Sequence, residues 1–301
     1  MILGRRRLRR VGTRVSIHPL FLFSAVAAVV AHLGLQVIVL FLCVVLHETG
    51  HAVVARALGY EIEQIELLPF GGVVRLANGD LGCAPRHEAL VALAGPLVNL
   101  GLGWLGLALA AGGVSSDAYA SWVSCNLWLA IFNLLPCLPL DGGRLWRASR
   151  SRSVGYARAT EGAYRMGFGI AVLLVVLGVT AFFAGRPHIG ALVLGLFLAF
   201  SAWQGLRDVR VDIIRFLDGK RSKALPVARA RTLVARWDTP VRDVVRQFSP
   251  DRVHMVYVLD RDERVIDILE EREIVDAVFA GAWDAPVSQL PHTDVVADRK
   301  L

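Results

Sequence analysis

Five consecutive residues in the first fifth of the chain have the types and the spacing that a metal site could use. They are His47, Glu48, Thr49, Gly50 and His51, which fit the pattern HExxH. On a helix the two histidines share one face, so both imidazoles can bind one zinc ion. Glu48 then leans toward a water molecule at that ion and can act as a general base. The pentapeptide is embedded in an apolar run, where unpaired polar side chains are costly, which favours a functional interpretation.

A catalytic zinc ion also needs a third protein ligand and one open position. Asp141 is the candidate, because it follows an apolar stretch that runs across the membrane in the same direction as the stretch with His47. By helix rise, His47 lies roughly 20 Å from the outer end of its stretch, and Asp141 reaches a similar depth toward the cytoplasm. Pro136 and Pro139 predict a helix break before Asp141, which is tolerated beside a wet cavity. The next candidates for this ligand are Glu88 and Asp80.

The composition indicates a membrane protein. The 301 residues are 55% hydrophobic and 20% charged, with a mean hydropathy of +0.51, which excludes a disordered or collagen-like chain. The four cysteines form neither a zinc knuckle nor a disulfide framework. Residues 1–206 contain 16 basic and 9 acidic residues and so carry the whole net charge of +7. A hydrophobic, cationic region points to a bilayer, so we expect no nucleic-acid partner.

Six apolar stretches are long enough, or nearly so, to cross about 30 Å of hydrocarbon. They are residues 17–31, 35–58, 89–111, 118–140, 168–184 and 189–206. Six arginines precede the first stretch and nine lie in the loops after the second and fourth, whereas Arg186 is the one basic residue in the other three loops. Because basic residues favour the cytoplasmic side, we predict a multi-pass protein of the bacterial cell membrane with both termini in the cytoplasm.

The tail has a different pattern from the rest. We predict a membrane-embedded domain over residues 1–206, a linker over 207–228 and a small cytoplasmic α/β domain over 229–301. Within the tail, residues 239–248 and 272–279 fit helices, and residues 253–259 and 265–269 fit strands. The predicted fold class is therefore a polytopic α-helical membrane protein with six transmembrane helices and a small C-terminal α/β domain.

The loop between the second and third membrane helices contains two short apolar stretches around Gly71-Gly72. Glycine pairs between such stretches are typical of a β-hairpin turn. A hairpin would offer a strand edge to a bound peptide, but a simple connector fits the residues equally well.

Together these motifs resemble the site-2 protease family of intramembrane zinc metalloproteases. The similarity covers nearly the whole chain and lies in four segments. They are the HExxH motif, the Asn133-x-x-Pro-x-x-Pro139-Leu-Asp141-Gly-Gly segment, the Ile17-His-Pro-Leu20 entry to the first helix and the Pro69-Phe-Gly-Gly72 loop. Within the family, the chain is most similar to the sporulation branch, which has six membrane helices and a C-terminal cystathionine-beta-synthase (CBS) domain.

The resemblance implies a role for each matching residue. One Zn²⁺ per chain would be held by His47, His51 and Asp141, with Glu48 as the catalytic glutamate. The residues implied to contact an extended substrate are Asn133, Pro139, Phe70, Gly71 and Gly72.

The resemblance also implies partners. The substrate would be a membrane-associated protein cleaved near the cytoplasmic face, in the sporulation branch a sigma-factor precursor of the pro-sigma-K kind, and regulatory membrane proteins could take part. The alternative is a transmembrane metal-ion transporter that uses the same His47, His51 and Asp141. It gives Glu48 no role, and the sequence shows none of the internal repeats common in transporters.

Residues 256–280 resemble one CBS motif, whereas nucleotide-binding modules usually pair two. The stretch that commonly contacts ribose in such modules contains Glu270 and Glu273 in this chain. Because acidic groups repel phosphates, ATP at this domain is disfavoured. A single motif leaves one face uncovered, so we expect either homo-oligomers through the CBS-like domain or docking of the soluble part of the substrate there.

Overall fold

The computed structural model describes residues 14–17, 34–68, 71–76, 81–112, 116–186, 188–222 and 229–290, and for residues 14–17, 63–68, 71–76 and 117 the backbone alone. The chain divides into two compact units. The first unit consists of Met1–Gly79, Ala89–Leu135 and Leu140–Gly142. The second unit consists of Asp80–Glu88, Pro136–Pro139 and Gly143–Leu301.

The first unit combines a long helix with a three-stranded sheet. Helix α1 is Gly34–Ala57, and the strands are β1 (Arg14–Ile17), β2 (Ile62–Leu68) and β3 (Gly71–Leu76). Strand β2 lies in the middle, parallel to β1 and antiparallel to β3. The predicted hairpin is confirmed, but its predicted turn is wrong. Leu68 pairs with Gly71, so Gly71 and Gly72 belong to β3.

Three further helices contribute to the site. They are α2 (Pro85–Ala111), α3 (Asp117–Asn133) and α4 (Asp141–Val154). At the start of α3, the Ser116 hydroxyl accepts a hydrogen bond from the Tyr119 backbone N–H, which satisfies a donor that has no partner within the helix. The predicted break before Asp141 is confirmed, because α3 ends at Asn133 and α4 begins at Asp141.

The second unit contains the two longest helices, α5 (Tyr156–Phe183) and α6 (Ile189–Ser222). Helix α6 continues through residues 207–222, where the sequence suggested a linker. The extension is charged, yet it buries Val209, Ile213 and Phe216 at helical spacing. Its apolar face is therefore part of a core rather than of a solvated connection.

Four of the described helices are long and apolar enough to cross a membrane, and they identify the chain as a membrane protein. They are α1, α2, α5 and α6. Helix α3 has 17 residues, somewhat fewer than the ~20 needed to span the hydrocarbon. Of the first predicted stretch, Ile17 ends β1 and residues 18–31 lie outside the described residues. The count of six spans stays a prediction.

The tail folds as a small α/β layer. Its elements are β4 (Arg229–Arg236), α7 (Val241–Val245), β5 (Arg252–Leu259), β6 (Val265–Glu270) and α8 (Glu271–Phe279). Strand β5 lies in the middle, parallel to β4 and antiparallel to β6. The strands β5 and β6 and the helix α8 agree with the sequence prediction, whereas α7 is shorter than expected and β4 was not predicted.

One hydrophobic core joins this tail to the ends of the long helices. Phe248 and Val256 of the tail belong to the same buried cluster as Phe216 of α6 and Tyr156 of α5. The rings of Tyr156 and Phe216 stack with their centroids 4.3 Å apart. Burial of each such ring contributes roughly 1.5–3 kcal/mol, so the tail gains stability from α5 and α6.

Candidate metal centre

The two histidines of the HExxH motif lie one turn apart on α1 and point to the same place. Both are buried, and their Nε2 atoms are 3.1 Å apart. This is the arrangement that an i, i+4 pair on a helix allows. Glu48, the next residue after His47, is also buried.

Asp141 completes the cluster from the first turn of α4. Its Oδ2 atom lies 3.0 Å from Nε2 of His47 and 3.0 Å from Nε2 of His51. The chain reaches this position by turning back sharply after α3. A Cβ atom at Gly142 would collide with the backbone of Leu134 and Leu135, so the glycine after Asp141 permits the return.

The hydrogen bond that each histidine makes through Nδ1 determines whether its Nε2 atom has a lone pair for a metal ion. Nδ1 of His51 lies 2.6 Å from the carbonyl oxygen of Val91, and because a carbonyl only accepts, Nδ1 donates. Nε2 of His51 therefore presents a lone pair. Nδ1 of His47 lies 2.5 Å from Oδ1 of Asn99, so the same arrangement holds there when that amide oxygen accepts.

Three acceptor atoms thus converge in a buried place. Nε2 of His47, Nε2 of His51 and Oδ2 of Asp141 lie within 4.8 Å of one another, and their separations are 3.0–3.1 Å. Such a group repels itself unless a cation or a proton lies between its members. Two imidazoles and a carboxylate are a zinc donor set, and tetrahedral bonds of about 2.0 Å put ligand atoms about 3.3 Å apart. The residues therefore fit a zinc ion.

The neighbouring helix leaves room for this ion. A Cβ atom at Gly95 of α2 would come within 2.6 Å of Nε2 of His47 and closer still to Nε2 of His51. Any larger residue would collide with the two imidazole nitrogens that point toward Asp141. Gly95 thus forms part of the metal cradle.

The structure brings together some of the predicted site residues. His47, His51 and Asp141 meet directly. Asn133 ends α3, and its amide Nδ2 donates to the carbonyl of Leu129. Gly71 and Gly72 lie in β3, Pro139 lies between α3 and α4, and Phe70 lies outside the described residues.

Three features of the site were not predicted. They are Gly95, the Val91 carbonyl and the contact of Asn99 with His47. The one available signal was an amide side chain, Asn99, inside an apolar stretch. Glu88, a fallback candidate for the third ligand, instead pairs with Arg147: Nε of Arg147 lies 2.9 Å from Oε1 of Glu88.

A comparison with known protein families gives a match over the segments that contain these motifs. The profile of Peptidase family M50 matches residues 35–116 and 108–174, which include all three converging side chains. The chain is 30% identical to the solved structure of a site-2 protease from Methanocaldococcus jannaschii, with a TM-score of 0.54, over 65% of this chain and 91% of that one.

Curated relatives extend the similarity. Rip3 of Mycobacterium tuberculosis is 36% identical over 242 residues, which are 76% of this chain and 60% of that protein. The zinc metalloprotease MJ0392 of Methanocaldococcus jannaschii is 35% identical over 59% of this chain and 51% of its own length. Stage IV sporulation protein FB of Bacillus subtilis is 28% identical over 89% of this chain and 92% of its own length.

The chain thus spans about 60% of the mycobacterial relative and about half of the archaeal one. The first range matched by the family profile contains the HExxH motif, and the second contains the Asp141 segment. From the shared motifs, the shared fold and the converging side chains, the chain belongs to the M50 peptidase family, the site-2 proteases.

Proposed function

We propose that this chain is a zinc metalloendopeptidase that cleaves a membrane-associated protein near the cytoplasmic face of the membrane. The observation that carries the proposal is the meeting of His47, His51 and Asp141, with inter-atomic separations of 3.0–3.1 Å. This cluster is buried, and its histidines lie on a helix apolar enough to cross a membrane. In an M50 family member, a buried donor set of this kind is expected to serve hydrolysis.

Each polar side chain has a proposed part in the reaction. His47, His51 and Asp141 would hold the zinc ion. When bound, zinc supplies Lewis acidity, which lowers the pKa of a water molecule and polarises a carbonyl group. Glu48 accepts the proton of the attacking water and passes it to the leaving amine.

The substrate is proposed to bind as an extended strand, because a helix hides its carbonyl groups in internal hydrogen bonds. Strand β3 pairs with β2 alone among the described strands, so it has an edge that could pair with a peptide. The residues proposed to contact the substrate are Asn133, Pro139, Phe70, Gly71 and Gly72.

The proposed substrate is a sporulation sigma-factor precursor of the pro-sigma-K kind. It is supported by the match to stage IV sporulation protein FB, which covers 92% of that protein. The alternative, a metal-ion transporter, would explain the ligands but leaves the buried Glu48 without a part in transport.

The proposal extends to topology and assembly. Six membrane helices within residues 1–206 and cytoplasmic termini are proposed from the loop charges. A CBS-like identity for residues 229–301 is supported by the order strand, helix, strand, strand, helix in the tail. Homo-oligomers through this tail and regulation by membrane proteins remain part of the same proposal.

Substitution of Glu48 separates the protease from the transporter. The full chain, co-expressed with a membrane-associated sigma-factor precursor, should process it, whereas Glu48→Gln should leave it intact while keeping about one zinc ion per chain. Glu263→Gln, which alters an exposed glutamate of the tail, is the matched control and should cleave normally. Wild-type cleavage by Glu48→Gln would contradict the protease proposal, and loss of zinc would make Glu48 a ligand.

A further inference from the structure

Two buried amides connect His47 to the third helix of the site. Asn99 lies on α2 and Asn126 on α3, and neither side chain is exposed. Nδ2 of Asn99 donates to Oδ1 of Asn126 over 2.7 Å, and Oδ1 of Asn99 faces Nδ1 of His47. We call these two residues the amide relay. A polar pair of this kind inside apolar helices must have every group bonded to be tolerated.

The outer end of the relay has a fixed orientation. Nδ2 of Asn126 lies 3.0 Å from the carbonyl oxygen of Trp122 and 3.1 Å from Sγ of Cys43. A backbone carbonyl can only accept, so the amide nitrogen of Asn126 must face it. The amide oxygen of Asn126 is then turned toward Asn99.

The orientation of the Asn99 amide follows from its own hydrogen-bond partners. Its Nδ2 atom lies between two acceptors, Oδ1 of Asn126 at 2.7 Å and the carbonyl oxygen of Cys43 at 3.3 Å. A flipped amide would place its oxygen against both acceptors, so the flipped orientation is excluded energetically. Oδ1 of Asn99 therefore faces His47 and accepts a hydrogen bond from it.

The relay thereby selects the tautomer of His47. With its proton held on Nδ1 by Asn99, the ring presents a lone pair on Nε2, the atom 3.0 Å from Asp141 and 3.1 Å from His51. The opposite tautomer would place a hydrogen on Nε2, where a metal ion must bind. Hydrogen bonds of this kind typically change metal affinity by 10–100-fold.

We propose that Asn99 is a positioning residue that holds His47 ready for zinc, and that Asn126 fixes the orientation of Asn99. The inference rests on the proposed function in that His47, His51 and Asp141 are taken as the zinc ligands. It adds a selection of the His47 tautomer by side chains from two other helices.

Two variants of Asn99 test whether its acceptor oxygen matters. Asn99→Leu has nearly the same size but no acceptor, and it should weaken zinc binding by about 10–100-fold. Asn99→Asp, protonated on the oxygen that faces Asn126 and Cys43, keeps an acceptor oxygen toward His47, so its affinity should exceed that of Asn99→Leu by about tenfold or more. The measurement is competition with a chromophoric zinc chelator on the full chain in detergent, independent of cleavage.

Gln36→Leu is the matched control. It removes an exposed amide from α1, the helix that carries His47, and zinc affinity should stay at the wild-type value. Wild-type affinity in Asn99→Leu would overturn the proposal. Equal losses in Asn99→Leu and Asn99→Asp would also overturn it, because they would show that Asn99 serves packing alone.

The tautomer of His47 can also be measured directly in the unsubstituted chain. This measurement does not depend on whether the variants fold or on whether the chain binds zinc. In zinc-free protein with ¹⁵N-labelled histidine, the ring nitrogen shifts should show His47 protonated on Nδ1, with His47→Gln used for assignment. Protonation on Nε2 with Nδ1 unprotonated would overturn the relay. A chain with the expected tautomer that binds no zinc would contradict the proposed function while supporting the relay.

Discussion

The substitution Gly95→Ala tests the metal cradle with a single added methyl group. The new Cβ atom would lie 2.6 Å from Nε2 of His47 and 2.7 Å from Cε1 of His51. Ordinary contact begins at 3.4 Å, so the His47 ring must withdraw by about 0.8 Å, and the His51 ring, whose Nε2 atom lies closer still, by more than that. Zinc ligand distances tolerate a deviation of roughly 0.2 Å. The displacement exceeds this tolerance severalfold, so zinc affinity should fall by about 100-fold or more, the upper end of losses caused by disturbed ligand support.

Zinc content and affinity are measured on the purified full chain by elemental analysis and chelator competition. The matched control is Gly101→Ala on the same helix, where no atom lies within 4 Å of the added Cβ. Alanine is favoured over glycine inside a helix by roughly 0.5–1 kcal/mol, so this control should be folded and should bind zinc normally. Wild-type zinc affinity in Gly95→Ala would refute the account of the cradle.

Three further predictions concern the second unit. Arg147→Met removes the cation beside the buried carboxylate of Glu88, so the free energy of unfolding in denaturant should fall by about 3–5 kcal/mol; an unchanged value would contradict the buried pair. Burial lowers the pKa of His254 below 6.5 despite its hydrogen bond to Glu271. The unfolded chain therefore binds protons first on acidification, and the melting temperature should fall from about pH 7 to about pH 5. His254→Gln should flatten this dependence, and a flat wild-type profile would contradict it. ATP should leave the melting temperature unchanged, because Glu273 already accepts the backbone N–H at the start of α8; a rise with ATP would show nucleotide binding.

The central cluster could be predicted because its two parts follow from local rules. His47 and His51 share a helical face at a spacing of four residues, and the prolines before Asp141 mark the helix break. The hairpin was predictable from its glycines, but its turn was not, since Gly71 and Gly72 lie in the strand.

The remaining features depend on how separate helices pack. Gly95 and Asn99 are recognisable only when α2 lies against α1, and no short-range spacing encodes that contact. The extension of α6 beyond residue 206 was hidden by its charges, because its buried positions face a tail core formed by distant residues such as Phe248. The same tertiary dependence explains why the Val91 carbonyl was not foreseen as a partner of His51.

X-ray absorption at the zinc edge of the purified chain identifies the atoms that bind the metal ion. We expect nitrogen and oxygen ligands alone, at about 2.0–2.2 Å and including two imidazoles. In Asp141→Ala the oxygen contribution and the zinc content should both fall. A sulfur ligand at about 2.3 Å, or an unchanged spectrum in Asp141→Ala, would contradict a zinc site made by His47, His51 and Asp141.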